Sequence, residues 1–217
     1  MTVTPNENAP GGPGPVEPSP AVEARRISRA LRRLSRARFL AATPASEVTR
    51  AAAPIPSETL LQTALLALGL TGRERVLELG SRTGYETALL SQLAGEVYSL
   101  APGPDALGPR SELLGLTGCR NVNLVVGPGG DGWPSAAPFS AIFVASGAAQ
   151  IPAALYDQLE VDGRLVIPLG DASGQLLELV RRRPDGFTSE TLTSCHLAML
   201  PWASRRPSSF PWRKARG

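Results

Sequence analysis

The segment from Arg75 to Tyr85 constrains the fold of this chain more than any other. It reads RVLELGSRTGY, so a short apolar strand runs directly into a turn that contains two glycines. A helix is predicted after the turn, over Tyr85–Leu93. A strand, a glycine turn and a helix in this order are typical of doubly wound α/β folds, in which ligands bind beside such a turn. The segment therefore predicts the fold class and the place of a ligand site.

The glycine turn favours the negative end of a ligand. Gly80 and Gly84 let the backbone come close to a ligand, and free N–H groups at a helix start attract a group such as a carboxylate. Arg82 lies between the two glycines, so the turn lacks the G-x-G-x-x-G pattern of dinucleotide sites. A nicotinamide-dependent enzyme is disfavoured for this reason, and because no acid follows the second strand.

Short apolar strands alternate with helices along the middle of the chain. The predicted strands are Arg75–Leu79, Glu96–Leu100, Val122–Val126, Ala141–Ala145, Gly163–Pro168, Leu176–Arg182 and a seventh within Thr191–Leu200. The predicted helices of this region are Ser57–Leu70, Tyr85–Leu93, Leu107–Leu116 and Pro152–Leu159. Such alternation implies parallel pairing with helices on both faces. We expect an α/β fold with a Rossmann-like, doubly wound, mostly parallel seven-stranded sheet and an antiparallel edge hairpin.

The two ends of the chain differ from its middle in composition. Residues 1–21 are rich in Pro and Gly, and we expect them to be disordered because they cannot bury enough apolar area. Residues 22–54 combine a linker with a basic helix over Val22–Leu40, which carries seven arginines. Residues 55–200 form the α/β domain, and residues 201–217 form a basic tail. Basic ends attract acidic partners, although a solvated helix face and a loose tail explain the same charges.

Composition disfavours several kinds of site and location. Cys119 and Cys195 form no Cys-x-x-Cys pair, so neither a zinc site nor a disulfide framework is expected. His196, the only histidine, falls in a predicted late strand without the surroundings of a triad or a metal site. No apolar run is long enough to span a bilayer, and the N-terminus is unlike a signal peptide. We expect a cytoplasmic protein without a metal, a membrane span or a nucleic-acid partner.

Four stretches of the chain resemble protein-L-isoaspartate O-methyltransferases. They are RRLSRARFL (32–40), RVLELGSRTGYETALLSQLAGEVYSL (75–100), NVNLVVGPGGDGWPSAAPFSAIFVASGAAQIP (121–152) and LYDQLEVDGRLVIPLG (155–170). Their order and spacing match that family, and the GWPSAAPF segment followed by a strand and an Ile-Pro pair is specific to it. The chain is thus similar to a divergent member of these S-adenosylmethionine-dependent methyltransferases.

The resemblance implies a repair reaction, in which a methyl group passes from S-adenosylmethionine to the isoaspartyl carboxylate of a damaged protein or peptide. A carboxylate is already an anion at neutral pH, so no strong base is required. The protein mainly has to align donor and acceptor and to exclude water. In the family a hydroxyl near the start of the first core helix helps to position the acceptor, which points to Ser57 or Thr59 as catalytic residues. The alternative is that Ser57 only caps the helix.

The resemblance also implies a set of cofactor contacts, some of which are eroded. The implied cofactor-binding residues are Glu78, Gly80, Ser81, Gly84, Tyr85, Ala101, Gly127 and Gly129. Ala101 stands where the family has an acid that accepts the ribose hydroxyls, and Pro128 replaces an aspartate near the adenine. Arg82 replaces a glycine, and Pro56 occupies the family's hydroxyl position. Lost hydrogen bonds predict weak S-adenosylmethionine binding, or none. The alternative function is a catalytically degenerate homologue that acts as a binding or regulatory protein.

Overall fold

The computed structural model describes residues 19–43, 55–101, 103, 107–127 and 129–200. Its helices are α1 (Pro20–Arg33), α2 (Arg36–Ala42), α3 (Glu58–Leu68), α4 (Tyr85–Leu93), α5 (Leu107–Leu116) and α6 (Ala153–Gln158). Its strands are β1 (Arg75–Leu79), β2 (Glu96–Ala101), β3 (Val122–Val126), β4 (Phe139–Val144), β5 (Leu159–Asp171), β6 (Gly174–Arg183) and β7 (Gly186–Cys195).

The seven strands form one sheet in the order β3-β2-β1-β4-β5-β6-β7. The strands from β3 to β5 pair in parallel, and β6 and β7 add to β5 as an antiparallel hairpin. The chain moves outward from β1 to β2 and β3 and then returns to β4 on the other side of β1. The direction in which successive strands are added to the sheet thus reverses between β1 and β4. Ligands bind at this switch point in doubly wound sheets. The expected fold class is confirmed.

Two apolar cores, one on each face of the sheet, hold β1 in place. On one face, Phe39, Leu61 and Leu89 belong to a core built with α1 to α5. On the other face, Leu155 of α6 shares a core with Leu77 of β1. Fully burying a leucine or phenylalanine side chain stabilises a fold by about 1.5–3 kcal/mol. The end of β1, where the glycine turn starts, is therefore anchored from both sides.

The basic N-terminal segment forms two helices, whereas one helix over Val22–Leu40 was expected. The chain leaves the helical conformation at Leu34 and Ser35, and α2 begins directly afterwards. Leu34 and Phe39 are both buried in the core. The break lets Leu34, which lies between the helices, and Phe39, which lies on α2, both reach the core. The pattern of a single straight helix did not reveal this.

These two helices pack along the domain and bring α2 to the glycine turn. The guanidinium of Arg26 donates to the carbonyls of Leu70 (2.6 Å) and Leu93 (3.1 Å), just after α3 and at the end of α4. At the other end, the rings of Phe39 and Tyr85 meet edge to face, with centroids 5.6 Å apart. The N-terminal segment therefore runs antiparallel to α4, from its last residue to its first.

Several expected boundaries were wrong. Strand β5 begins at Leu159 instead of Gly163, and β7 ends at Cys195, so His196 follows the strand. Pro20 and Ala21, which we assigned to the disordered tail, belong to α1. Residues 1–18 of that tail, residues 44–54 of the linker and the basic tail at 201–217 lie outside the described residues. Within the described ranges, no helix has the length and apolar character needed to cross a bilayer.

Candidate functional site

The turn between β1 and α4 lies at the carboxyl edge of the sheet, as the sequence predicted. Gly80 and Gly84 have φ values of 81° and 78°, a region in which residues with a Cβ are strained. A Cβ on Gly80 would lie 2.9 Å from Ser146 Oγ and 3.1 Å from Leu200 Cδ2. The loop after β4 and the segment after β7 thus approach this turn so closely that only glycine fits at position 80.

Hydroxyl groups within the turn hold its backbone. The Gly84 N–H donates to Ser81 Oγ at 3.1 Å, and the Tyr85 N–H donates to Thr83 Oγ1 at 3.2 Å. The Ser81 hydroxyl in turn donates to the carboxylate of Glu86 at 2.9 Å. Ser81 was predicted to contact a cofactor, but its hydroxyl is buried and engaged within the protein. The Ser81 hydroxyl thus shapes the turn, and the cofactor contact of Ser81 stays a prediction.

Glu78 lies beneath the turn and is fully buried. The Thr87 hydroxyl donates to its Oε2 at 2.6 Å, and the Ser99 hydroxyl lies 3.2 Å from that of Thr87. Burial raises the pKa of Glu78 to about 7, against the opposing effects of hydrogen bonds from Ser99 and Thr87. The charge of Glu86 raises this pKa further, and that of Arg110 lowers it.

The two oxygens of the Glu78 carboxylate differ in their hydrogen bonds. Among the described residues, Oε1 of Glu78 has no hydrogen-bond partner. Leaving a buried polar atom unsatisfied costs about 1–3 kcal/mol, and more for a charged group. Protonation of the carboxyl group lowers this cost, and a donor from a water molecule or a ligand can satisfy the oxygen. The unpartnered oxygen is the feature of the turn that points most directly to a ligand.

A buried arginine on α5 donates a hydrogen bond to the backbone of the glycine turn. Arg110 is 5% exposed, and its Nη2 donates to the carbonyl of Arg82 at 2.9 Å. Its Cγ would lie 3.8 Å from a Cβ on Gly84. The sequence did not single out Arg110, because the pattern of α5 shows only a helix and the contact joins residues far apart in the chain.

The ends of β2 and β3 carry small residues at the predicted ribose and adenine positions. Ala101 is fully buried at the end of β2, and its carbonyl accepts the Gly127 N–H at 3.1 Å. Gly129 has a φ of 81°. These three residues offer no side-chain acceptor for ribose hydroxyls. Pro128, which replaces the family's aspartate near the adenine, lies outside the described residues.

Ser57 and Thr59 lie at the start of α3 and are exposed. Ser57 is the N-cap, and its Oγ accepts the Leu60 N–H at 3.1 Å. The cap uses an oxygen lone pair, whereas the hydroxyl hydrogen stays available to a second partner. Capping by Ser57 is thus present in the structure and is compatible with a role in orienting an acceptor.

Ser146 is a hydroxyl at the same sheet edge that the sequence analysis did not single out. It follows β4, is 3% exposed, and donates to the Gly80 carbonyl at 2.9 Å. The bond ties together the two sides of the switch point. Its place directly after a predicted strand was a usable signal, because the carboxyl ends of neighbouring parallel strands meet at one edge.

Helix α2 contacts the segment that precedes Ser57. Arg36 of α2 donates to the carbonyl of Pro56, and its guanidinium carbon lies 5.8 Å from the ring centroid of Tyr85. Burial raises the pKa of Tyr85, and the neighbouring charge of Glu58 raises it further, while that of Arg36 lowers it. The segment before α3 and the turn before α4 therefore meet at this arginine.

The part of the chain that the structure describes has no group of three or more His, Cys, Asp or Glu side chains that could hold a metal ion. His196 is exposed, and both cysteines are free.

A parallel sheet with its switch point at a glycine turn, above a buried acid, defines a Rossmann-like domain of the methyltransferase type. The profile of the family described as protein-L-isoaspartate(D-aspartate) O-methyltransferase matches residues 19–205. The chain belongs to this family. It is 45% identical over 175 residues to a protein-L-isoaspartate O-methyltransferase of Anaeromyxobacter dehalogenans, covering 75% of this chain and 82% of the relative. The protein of the same name from Myxococcus xanthus is 39% identical over 186 residues, covering 81% and 87%.

Solved structures show the same fold. One protein-L-isoaspartate O-methyltransferase superposes with a TM-score of 0.69 and 23% identity, over 82% of this chain and 62% of its own. A protein of Plasmodium falciparum assigned to the same family, solved in complex with S-adenosyl-L-homocysteine, superposes with a TM-score of 0.55 and 15% identity, over 82% and 97%. These likenesses support the fold.

Proposed function

We propose that this protein is an S-adenosylmethionine-dependent methyltransferase that acts on isoaspartyl carboxylates of damaged proteins or peptides. The observation that carries the proposal is the glycine turn at the switch point, with the unpartnered Oε1 of Glu78 beneath it. Membership of the isoaspartate methyltransferase family supports it. The competing function, an inert binding protein, has no observation in its favour beyond the eroded positions.

The residues of the glycine turn fit the methionine part of the cofactor. The residue at the predicted ribose position, at the end of β2, fits the ribose less well. Glu78 offers a buried acceptor, and Gly80 lets the ligand approach the backbone. At the end of β2, Ala101 has no oxygen for the ribose hydroxyls. Glu78, Gly80 and Gly84 would therefore hold the cofactor, together with the small residues Gly127 and Gly129. When bound, S-adenosylmethionine supplies a methyl group on a positively charged sulfur atom.

The remaining task of the protein is positioning. The free hydroxyl hydrogen of Ser57 can donate to one oxygen of the acceptor carboxylate, which leaves the other oxygen free to attack. Correct alignment of two reactants is worth about 7–11 kcal/mol of the barrier, so no base is needed for an acceptor that is already ionised. Ser146 and Arg110 hold the loops on either side of the turn. Leu200 lies close to Gly80 at the same edge of the sheet.

A methyl-transfer assay with two matched peptides tests this function. One peptide carries an isoaspartyl residue, and the other carries aspartate in the same sequence. We expect labelled methyl groups to appear on the isoaspartyl peptide as base-labile esters, with little transfer to the aspartyl peptide. Equal labelling of both, or none of either at saturating cofactor, would contradict the proposal. The proposed substrates are proteins or peptides in the cytoplasm, and that location remains a prediction.

The variant Ser57→Ala separates the two roles of this hydroxyl. Loss of the cap is expected to lower the free energy of unfolding by about 1 kcal/mol, and loss of the donor to lower kcat/KM for the isoaspartyl peptide by roughly tenfold. Ser57→Asp is the control, because aspartate caps a helix but has no hydroxyl hydrogen and repels a carboxylate. Full activity in Ser57→Asp would show that Ser57 is a cap alone.

The variant Ala101→Glu is expected to tighten binding of S-adenosylhomocysteine by about tenfold, because a carboxylate at the end of β2 can accept both ribose hydroxyls. Ala101→Gln has the same size without the charge and should gain less. Isothermal titration calorimetry of both variants against the unchanged protein measures this. If Ala101→Glu and Ala101→Gln bind alike and no more tightly than the unchanged protein, Ala101 does not face the ribose.

A further inference from the structure

The side chain of Arg36 lies between the two segments of the proposed site, the one before α3 and the glycine turn before α4. Arg36 donates to the carbonyl of Pro56, the residue before Ser57, and its guanidinium lies against the ring of Tyr85, the first residue of α4. Pro56 belongs to the segment proposed to hold the acceptor, and Tyr85 belongs to the cofactor turn. Arg36 therefore touches both segments at once.

Arg36 keeps most of its hydrogen-bonding capacity. A guanidinium has five N–H donors, and the contact with Pro56 uses one nitrogen. Among the described residues, no carboxylate lies within ion-pair distance of Arg36. Glu58, whose charge raises the pKa of Tyr85, receives a hydrogen bond from Gln62 at 3.5 Å instead. The charge of Arg36 is thus available to an anion from outside the chain.

Two other arginines, Arg26 of α1 and Arg164 of β5, are used differently. Arg26 donates to two backbone carbonyls, those of Leu70 and Leu93, at the far end of α4. Arg164 also donates to two carbonyls at the end of α3. Both close helix ends, where a cation neutralises carbonyl groups that lack partners. Arg36 lies instead beside the starts of α3 and α4.

We propose that Arg36 binds the carboxylate of the acceptor and thereby makes the enzyme specific for an anionic substrate. This inference rests on the proposed function, because it takes the acceptor to be a carboxylate. The guanidinium is planar and matches the two oxygens of a carboxylate. Its contact with Pro56 fixes it next to the Ser57 hydroxyl, and its contact with Tyr85 fixes it next to the cofactor turn. A neutral amide in the same place would lose the charge-assisted hydrogen bonds.

The test compares Arg36→Gln, Arg36→Lys and the control Arg38→Gln in the full-length protein. Arg38 lies on the same helix, is exposed, and loses the same charge. Binding of a fluorescent isoaspartyl peptide and of its neutral isoasparaginyl analogue is measured by anisotropy, and binding of S-adenosylhomocysteine is measured by calorimetry. The peptide's KM and kcat are determined in parallel.

We expect Arg36→Gln to weaken binding of the isoaspartyl peptide, and to raise its KM, by about tenfold or more. Binding of the neutral peptide and of S-adenosylhomocysteine should stay within about twofold of the unchanged protein. Arg36→Lys should recover part of the loss, because lysine keeps the charge without the planar fork. Arg38→Gln should behave like the unchanged protein.

Three results with Arg36→Gln would overturn the inference: unchanged peptide binding, equal losses for both peptides, or a loss of S-adenosylhomocysteine binding as large as the loss of peptide binding. If Arg36→Gln does not fold, the charge-retaining Arg36→Lys decides by the same comparison. Failure of the proposed function looks different, since the unchanged protein would then transfer no methyl group while peptide binding still reports on Arg36. An unchanged protein that binds neither peptide also overturns the inference.

Discussion

Replacing Gly80 with valine is expected to remove detectable binding of S-adenosylhomocysteine and to destabilise the fold. The left-handed conformation of Gly80, at φ 81°, costs a residue with a Cβ about 1–2 kcal/mol. The added carbon would also lie within 3.1 Å of atoms of Ser146 and Leu200. Both loops would have to move, and both line the proposed crevice. Urea unfolding and calorimetry on the same preparation measure the two effects.

Gly118→Val is a matched control for this variant. Gly118 has a similar φ of 77°, but nothing lies within 4 Å of the place its Cβ would take. It should show the conformational cost and keep ligand binding. If Gly80→Val and Gly118→Val lose the same stability and both retain binding, then the crevice does not lie at Gly80.

Replacing Glu78 with glutamine is expected to change how stability depends on pH. The pKa of Glu78 is raised from its ordinary 4.5 to about 7 by burial. A carboxyl group with a raised pKa stabilises the folded state while it is protonated, and this contribution is lost as the pH rises from 4.5 through 7. The full difference between 4.5 and 7 corresponds to roughly 3 kcal/mol in the free energy of unfolding. Glutamine cannot ionise and still accepts the hydrogen bond from Thr87, so its variant should lack this pH-dependent loss.

Urea unfolding at pH 5, 6, 7 and 8 measures the difference between Glu78→Gln and the unchanged protein, in which the contributions of other groups cancel. Between pH 5 and pH 8, the free energy of unfolding of the variant should rise by about 2–3 kcal/mol relative to that of the unchanged protein. Glu190→Gln, which removes a carboxylate at an exposed position on β7, is the control variant. Parallel curves for Glu78→Gln and the unchanged protein would mean that Glu78 ionises as an ordinary acid.

The parallel half of the fold could be predicted from the sequence because local pattern and tertiary environment agree there. The bounds of β1, α4, α5 and β3 match the predicted ones. Strand β1 is apolar because helices cover both of its faces, and Gly84 marks the start of α4. The single strand–turn–helix segment was therefore enough to predict the glycine turn at the carboxyl edge of the sheet.

The hairpin and the helix break could not be predicted in the same way. Nearly all of β7 is exposed, so the segment GFTSETLTSC shows no apolar alternation, and its pairing with β6 defines the strand instead. The break at Leu34 and Ser35 lies inside a helical pattern and depends on where the core lies. Both features follow from contacts between distant parts of the chain.

The residues of the candidate site differ in the same way: some could be predicted from the sequence, and others could not. Gly80, Gly84 and Glu78 follow from a local motif and a family resemblance. Ser146 and Arg36 act on residues 66 and 20 positions away in the chain, respectively, and the spacing of a single sequence does not report such contacts.

A calorimetric titration of the full-length protein with S-adenosylhomocysteine tests the central claim most directly, because it asks whether the crevice beside Gly80 and Glu78 still holds the nucleoside. We predict one site per chain with a dissociation constant in the micromolar range, lost in Gly80→Val and kept in Gly118→Val. Absence of heat at millimolar ligand, in protein that unfolds cooperatively, would contradict the account.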